Sequence, residues 1–405
     1  MRAVFSVMLF CLPLLTASTQ AADFVEAGPD RVPLAPHLTA SLEKEALHAI
    51  QRGVDFLHST QQDNGCWSSP QYPAVTSLAA SAILNSPAYI DSATRPASVD
   101  QALDFILSKM QPDGCIYEPI EGVKGGGMPN YNTSLALMAL ADVDEERYAL
   151  MIDQARQCLI SGQYLGPGSY HGGMGYDAST GRAYADLSNT MMALEALRRT
   201  ESPEQKEGQE GLDWDAAIQF ISRCQHLKET NDMNWVSDEM DQHGGFVYHP
   251  EKSQAGEETT EEGKRLLRSY ASMTYAGLLS FIYAEVDRDD PRVQAAYDWI
   301  RQNWNLEKNP GMGQEGLYYN YHTMAKALNA FGREEINLPG GKTIAWRPAL
   351  LEKLVSLQRI DPETGYGFWK NDNNRWWEND PNLVTAYTLL AMEIALYGTS
   401  PAMPE

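Results

Sequence analysis

Apolar and polar positions along the chain fall into two alternating kinds of segment. In the first kind, apolar residues recur three or four apart on a polar background. Ala46, Ile50, Val54 and Leu57 show this spacing, which puts them on one face of a helix. The second kind is rich in Ala and Leu around most of its circumference, as in YPAVTSLAASAIL, which is the pattern of a buried helix. Six segments of the second kind align on a single threonine, at Thr76, Thr133, Thr190, Thr274, Thr323 and Thr385. The longer gap after Thr190 holds acidic, turn-rich stretches near 200–213 and 250–266, which read as surface insertions. The pattern predicts six repeats, each an amphipathic outer helix, a turn and a buried inner helix. Such a stack forms a ring or an open superhelix.

The turn between the two helices has its own chemistry. In RGVDFLHSTQQDNGCW, residues 52–67, Gln61 is suited to hydrogen-bond carbonyls left free at the end of its helix. Gly65 permits the positive φ of a turn out of the helix, and Trp67 folds back as an apolar cover with one N–H to satisfy. A worn copy, ALDFILSKMQPDGCIY, occupies 102–117. Phe220, Ile221 and Gln225 keep the spacing of Phe56, Leu57 and Gln61, and Gln358 with Gly367 and Trp369 is a looser copy. Gly172-Gly173 and Gly244-Gly245 read as further turns into inner helices.

Arg52-Gly53, Phe56-Leu57, Gln61 and Gly65-Cys66-Trp67 together resemble the QW repeat of squalene cyclases. The six-fold helix pairing is similar to the toroid those enzymes share with protein prenyltransferases. The resemblance covers 42–396 and implies an all-α chain folded as an (α/α)6 toroid rather than an open superhelix.

The termini and the charge narrow the setting. MRAVFSVMLFCLPLLTASTQA has a basic start, an apolar run too short to span a bilayer comfortably, and small residues near Ala21. It reads as a secretory signal peptide over 1–21, followed by a linker over 22–40 and the toroid over 41–398. The expected location is therefore exported, periplasmic or extracellular, with no integral membrane segment in the mature chain. Fifty-four acidic against 31 basic residues, a net charge of −23, argue against nucleic acid and anionic lipid as partners. Cys66, Cys115, Cys158 and Cys224 would remain after cleavage, either paired or as buried free thiols. No CxxC or HExxH pattern occurs, so neither a metal nor another cofactor is expected.

In a ring of this kind the N-terminal ends of the inner helices meet at one rim. The residues just before each repeated Thr are then expected to line a common cavity mouth: Tyr131 and Asn132, Asp186 and Asn189, Arg268 and Tyr270, Tyr319, Tyr321 and His322, and Trp376 and Trp377. Helix capping is the plainer reading of Asp186, Ser188 and Asn382.

The resemblance implies two chemistries, and both lack a key group. A squalene cyclase protonates its substrate with a DxDD-type acid. The counterpart here is Asp186-Leu187-Ser188-Asn189, with a serine in the proton-donating position. A literal match at Asp287-Arg288-Asp289-Asp290 precedes Pro291 and reads as a loop and cap. A prenyltransferase holds zinc with Asp, Cys and His. Tyr321-His322-Thr323 resembles its histidine segment, but Arg268 and Tyr270 stand where the other two ligands belong.

Three readings remain. In the first, the toroid binds an isoprenoid or other small apolar molecule against Tyr131, Tyr319, Trp376 and Trp377, with His322, Asp186 and Tyr270 available for chemistry. In the second, a lyase-like enzyme acts on an oligosaccharide, with Tyr321 or His322 as base and Arg268, Asn132 or Asn189 as neutraliser. In the third, a non-catalytic scaffold binds proteins through its insertions. The cavity of the fold favours the first. Catalysis and oligomeric state stay open.

Overall fold

The computed structural model describes residues 37–398 apart from 91, 93, 122–125, 144, 178–182, 202–210, 238 and 240. The expected leader, most of the linker and most of the first acidic insertion lie outside the described residues.

Twelve α-helices alternate between two layers among the described residues. The outer layer is α1 (Ala40–Thr60), α3 (Ala97–Leu107), α5 (Ala149–Ser161), α7 (Trp214–Ser222), α9 (Pro291–Asn303) and α11 (Trp346–Ser356). The inner layer is α2 (Pro73–Leu84), α4 (Pro129–Val143), α6 (Leu187–Arg199), α8 (Ala271–Tyr283), α10 (Leu317–Phe331) and α12 (Pro381–Tyr397). Proline at the first position of α2, α4 and α12 fixes φ where no intrahelical N–H is needed. Each inner helix packs on the next, and α12 packs on α2, so the ring is closed. The chain is an all-α, (α/α)6 toroid. The first helix, α1, packs on α11 and α12 and seals the outer layer.

Five of the six repeated threonines hold their helix pair through one kind of bond, while Thr323 donates to Tyr319 O within its own helix. Thr76 Oγ1 accepts the backbone N–H of Trp67, Thr133 that of Ile116, Thr190 that of Met174, Thr274 that of Phe246 and Thr385 that of Trp369, at 2.8–3.1 Å. The tryptophan of the turn is buried and donates its ring N–H back into the outer helix. Trp67 Nε1 reaches Leu57 O and Trp369 Nε1 reaches Leu354 O, both at 2.7 Å.

Gln61 departs from the expected role. It does not cap its own helix. It donates to Gly65 O at 2.9 Å and to Ser98 O, in the next outer helix, at 2.7 Å. Gln163 likewise reaches Asp213 O, Gln225 reaches Arg292 O, and Gln358 reaches Ala49 O, each at 2.7–2.8 Å. The glutamine is therefore a clasp between neighbouring repeats, and Gln358 carries it across the junction of last and first.

The glycine of the turn serves the same contact. Gly172 has φ +90°, and a Cβ on it would lie 1.7 Å from Ala216 O of α7. Gly244 and Gly65 approach Ala295 O and Gln101 O in the same way. Only glycine lets the turn lie this close against the next outer helix.

Of the acidic insertions, the second forms a surface hairpin, β1 (Glu257–Thr259) against β2 (Arg265–Leu267). Asp290 caps α9 through Arg292 N at 2.9 Å. Cys115 and Cys158 form a disulfide, while Cys66 and Cys224 are free and buried. No helix among the described residues is long and apolar enough to cross a membrane.

The glycine contact predicts a contrast. Gly172→Ala should cost about 3 kcal/mol or more, because helix backbone must move. Gly256→Ala, at φ +92° with nothing within 4 Å, should cost only about 1–2 kcal/mol of left-handed strain. Urea unfolding of the two variants checks this, and equal losses would refute the close-approach account.

Candidate functional site

The N-terminal ends of all six inner helices open onto one cavity of about 350 Å³. The two positions flanking each repeated Thr on the lumen side supply much of its wall. Two residues before the Thr stand Ala74, Tyr131, Ser188, Ser272 and Leu383, and two after it stand Leu78, Met192 and Tyr387. Tyr72, Tyr270 and Tyr319 join them from a turn earlier, and Tyr176 and Tyr248 from the turns between layers. Trp376, Trp377 and Glu378 complete the wall.

Among the described residues this wall is aromatic and hydroxylated, with no basic side chain and one acid. Its hydroxyls pair with one another: Tyr131 with Tyr387 at 3.3 Å, Tyr176 with Tyr248 at 3.4 Å, and Tyr319 with Ser188 at 3.1 Å. Burial raises the phenols of Tyr131, Tyr176, Tyr270, Tyr319 and Tyr387, that of Tyr176 to about 12, so all of them stay protonated near neutral pH.

Trp376 and Trp377 form the mouth, each about 45% exposed. Both have left-handed backbone, at φ 54° and 62°, which costs non-glycine residues about 1–2 kcal/mol each. Their surroundings hold them there. Arg375 stacks over Trp376 at 4.5 Å and is itself tied to Glu315 and to Gln254. Tyr72 lies against Trp377 with ring centroids 4.4 Å apart.

Of the residues anticipated from sequence, Tyr131, Tyr270, Tyr319, Trp376 and Trp377 line the cavity. The other six do not. Asp186 is fully buried as the cap of α6, accepting Asn189 N at 2.9 Å and Asn189 Nδ2 at 2.8 Å. Burial raises its carboxyl to about 6, against the hydrogen bonds from Asn189, Tyr248 and Tyr184. The Asn189 side-chain N–H is thus committed to Asp186, while its Oδ1 is buried with no hydrogen-bond partner among the described residues. Asn132 accepts Ala74 N at 2.9 Å and donates to Gly127 O at 2.7 Å, which ties α4 to the start of α2.

Arg268 lies half exposed and pairs with Glu258 of the surface hairpin at 3.0 Å, so it neutralises nothing in the cavity. Tyr321 points away from the lumen and donates to Leu306 O at 2.5 Å. His322 sits one turn deeper than Tyr319, stacked on Tyr387 at 5.3 Å. Burial first, and Lys326 second, lower its basicity well below the ordinary value, so the ring is neutral. The lyase constellation expected of Tyr321, His322 and Arg268 is not assembled. Nor do Arg268, Tyr270 and His322 form zinc ligands. Among the described residues no group of three or more His, Cys, Asp or Glu could hold a metal ion.

The misplacement has a local cause in the fifth repeat. Helix α10 is entered through Gly316 in a left-handed conformation, with no side-chain cap of its own. Its cap comes instead from Glu378, whose Oε1 accepts Tyr319 N at 2.8 Å. Tyr319, not Tyr321, therefore carries the lining position.

Glu378 is a charged residue of the cavity wall that the sequence did not point to. It is 1% exposed, and Asn371 Nδ2 binds its second oxygen at 2.7 Å. Burial raises its carboxyl to about 7, although the amides of Tyr319, Tyr318 and Leu317 and the Asn371 side chain pull the other way. In the sequence it stands in NDNNRWWENDPN, a run that looks like a solvated loop. The nearest signal was its position directly after the tandem Trp.

No protein-family profile matches the chain, and no curated protein sequence matches it. Solved structures do match. The type II terpene cyclase MstE from Scytonema, in complex with merosterolic acid A, is 15% identical at a TM-score of 0.51, covering 88% of this chain and 99% of that one. Protein geranylgeranyltransferase-I from Candida albicans, complexed with GGPP, is 14% identical at a TM-score of 0.53, covering 86% and 93%. The alpha-1,6-mannanase GH76A of Salegentibacter sp. HEL1_6, in complex with alpha-1,6-mannotriose, is 11% identical at 0.51, covering 86% and 99%. At these identities the likeness is one of fold.

The raised carboxyl of Glu378 predicts a pH effect on stability. Between the ordinary value of 4.5 and about 7 the folded protein keeps a proton that the unfolded chain has released. That contribution is present in full below pH 4.5 and is lost as the pH rises through 7. Glu378→Gln should abolish this slope. The stability advantage of wild type over variant should shrink by roughly 3 kcal/mol between pH 4.5 and 7.5. Urea unfolding at the two pH values measures it. A constant difference would mean that Glu378 titrates alike in the folded and unfolded chain.

Proposed function

We propose that the chain is an exported toroid that binds an isoprenoid or comparably apolar small molecule in the cavity at the inner-helix N-termini. The observation that carries this reading is the wall itself. Tyr72, Tyr131, Tyr176, Tyr248, Tyr270, Tyr319 and Tyr387 with two tryptophans, three methionines and aliphatic residues surround a space of small-molecule size. Such a wall recovers the free energy of removing an apolar chain from water. Mutual pairing of several hydroxyls leaves fewer of them to compete for a polar ligand. The MstE and geranylgeranyltransferase structures, which hold isoprenoid-derived molecules, support the reading by analogy of fold.

The half-exposed Trp376 and Trp377 favour a second reading, stacking against the rings of an oligosaccharide, as the mannanase match invites. Hydrolysis by paired carboxylates has no support in the wall, which holds a single acid.

The test is titration of a chain starting at residue 22 with farnesol, followed by tryptophan fluorescence, alongside mannotriose. Met273→Trp fills the cavity from α8. Farnesol should bind at one equivalent and lose at least tenfold in affinity in Met273→Trp, with the melting temperature within a few degrees. Saturable binding of mannotriose and none of farnesol would reverse the preference. Equal farnesol affinity in wild type and Met273→Trp would remove the cavity from the account.

A further inference from the structure

We infer that the molecule this cavity selects carries a permanent positive charge, an apolar chain or ring system bearing a quaternary or otherwise fully substituted ammonium group. The inference rests on the reading of the cavity as an apolar small-molecule site and specifies the charge of what enters it.

Four features of the site lead there. First, the wall presents aromatic faces from several directions and, among the described residues, no basic side chain. Aromatic faces attract cations through the ring quadrupole, more strongly in a site shielded from water. Second, the wall holds one acid, Glu378, buried in a place where an unmatched carboxyl costs stability. Third, both of its oxygens are already occupied, by Tyr319 N and by Asn371 Nδ2. A primary ammonium would compete for those lone pairs. A fully substituted ammonium donates no hydrogen bond and is attracted by charge alone. Fourth, the chain as a whole carries a net charge of −23, which raises the local concentration of cations.

The helix dipoles oppose this and have to be weighed. Six N-termini meet at the cavity, each equivalent to roughly half a positive charge, about +3 in all. Three of the six helices carry an acidic cap: Asp186 on α6, Glu378 on α10 and Asp380 on α12. The starts of α2 and α8 are met by Asn132 and Asn309, which accept Ala74 N and Ser272 N at 2.9 and 3.1 Å. The dipoles are thus roughly balanced by carboxylates, and these first-turn amides are taken. An anion would find neither a cationic side chain nor those amides. With the dipoles balanced, the aromatic faces decide the sign.

The one nearby guanidinium does not alter the balance. Arg375 stacks over Trp376 and is neutralised by Glu315 at the outer side of the mouth, and it does not line the cavity.

The experiment compares three probes of one chain length, octyltrimethylammonium, 1-octanol and octyl sulfate, each below its micellar concentration. It is run at pH 8, above the value of about 7 to which burial raises Glu378. Binding to the chain starting at residue 22 is followed by tryptophan fluorescence and calorimetry. Octyltrimethylammonium should bind at one equivalent and at least tenfold tighter than octanol, with octyl sulfate weakest. Glu378→Gln should cut the preference for the cation over octanol at least fivefold. Trp377→Ala should weaken the cation more than octanol while keeping the fold.

Equal affinity for octanol and the cation would overturn the inference and leave the apolar reading standing. The same holds if Glu378→Gln, folded by circular dichroism, and Trp377→Ala both leave the preference unchanged. Binding of none of the three would count against the apolar reading itself.

Discussion

One threonine hydroxyl in each of five repeats sets the geometry on which the toroid depends. It receives the backbone N–H of the segment arriving from the outer layer, and in Thr133, Thr190 and Thr274 it also bonds backbone carbonyls nearby. A hydroxyl can accept and donate at once, which neither valine nor alanine can do in the same volume. The arriving segment is thereby pinned at one height on each of those five inner helices. Glutamine clasps and close-packed glycines then pass that height to the next repeat. A ring closes only if these heights agree, and Gln358 to Ala49 O is where the last meets the first.

Fixing the heights also builds the cavity. Inner helices held at a common level present their first turns together, so residues far apart in sequence become one wall. Tyr131 and Tyr387 touch through their hydroxyls because α4 and α12 start level with one another. The same arrangement concentrates the positive ends of the helices, and caps answer them. The acid that fits a ligand-binding cavity and the acid that a helix end requires are here the same residue, Glu378. The strain at Trp376 and Trp377 belongs to this compromise. The short turn that sends Glu378 beneath Tyr319 also turns the two indoles into left-handed backbone and out to the mouth.

The fold was legible because its devices are periodic. Thr76 and its five counterparts, the all-round apolar inner segments and the Gln-Gly-Trp turn repeat often enough for tertiary structure to show in one dimension. The exchange of partners by Gln61 was not legible, since Ser98 lies in a different repeat and both carbonyls are equally plausible from sequence. The site was legible by level but not by direction. Counting from the threonine placed Tyr131 and Tyr319 at the rim correctly, yet half a turn of helix separates a lining residue from one that faces the outer layer. Tyr321 fell on the wrong side of that half turn, and Arg268 stands before α8 begins, where the chain leaves the surface hairpin. Glu378 escaped because burial is a property of what packs over a loop. Nothing in the polar run 371–382 signals that the amides of α10 descend onto it.

Below the cavity, polar side chains of the inner helices meet near the ring axis. Tyr319, His322 and Lys326 recur at three and four residues along the inward face of α10 and so descend the ring axis. His322 stacks under Tyr387, and Lys326 pairs with Glu195 of α6 almost fully out of solvent. Such a buried pair adds little net stability, because desolvation offsets most of the attraction. It does hold two non-adjacent inner helices in one register, since any slip would leave a bare charge in the core. The neutral imidazole above it shields that charge from the cavity. A polar plug fills the axis from below, and an aromatic wall with one acid closes the space above it. The half-exposed Trp376 and Trp377 stand at the mouth of that space.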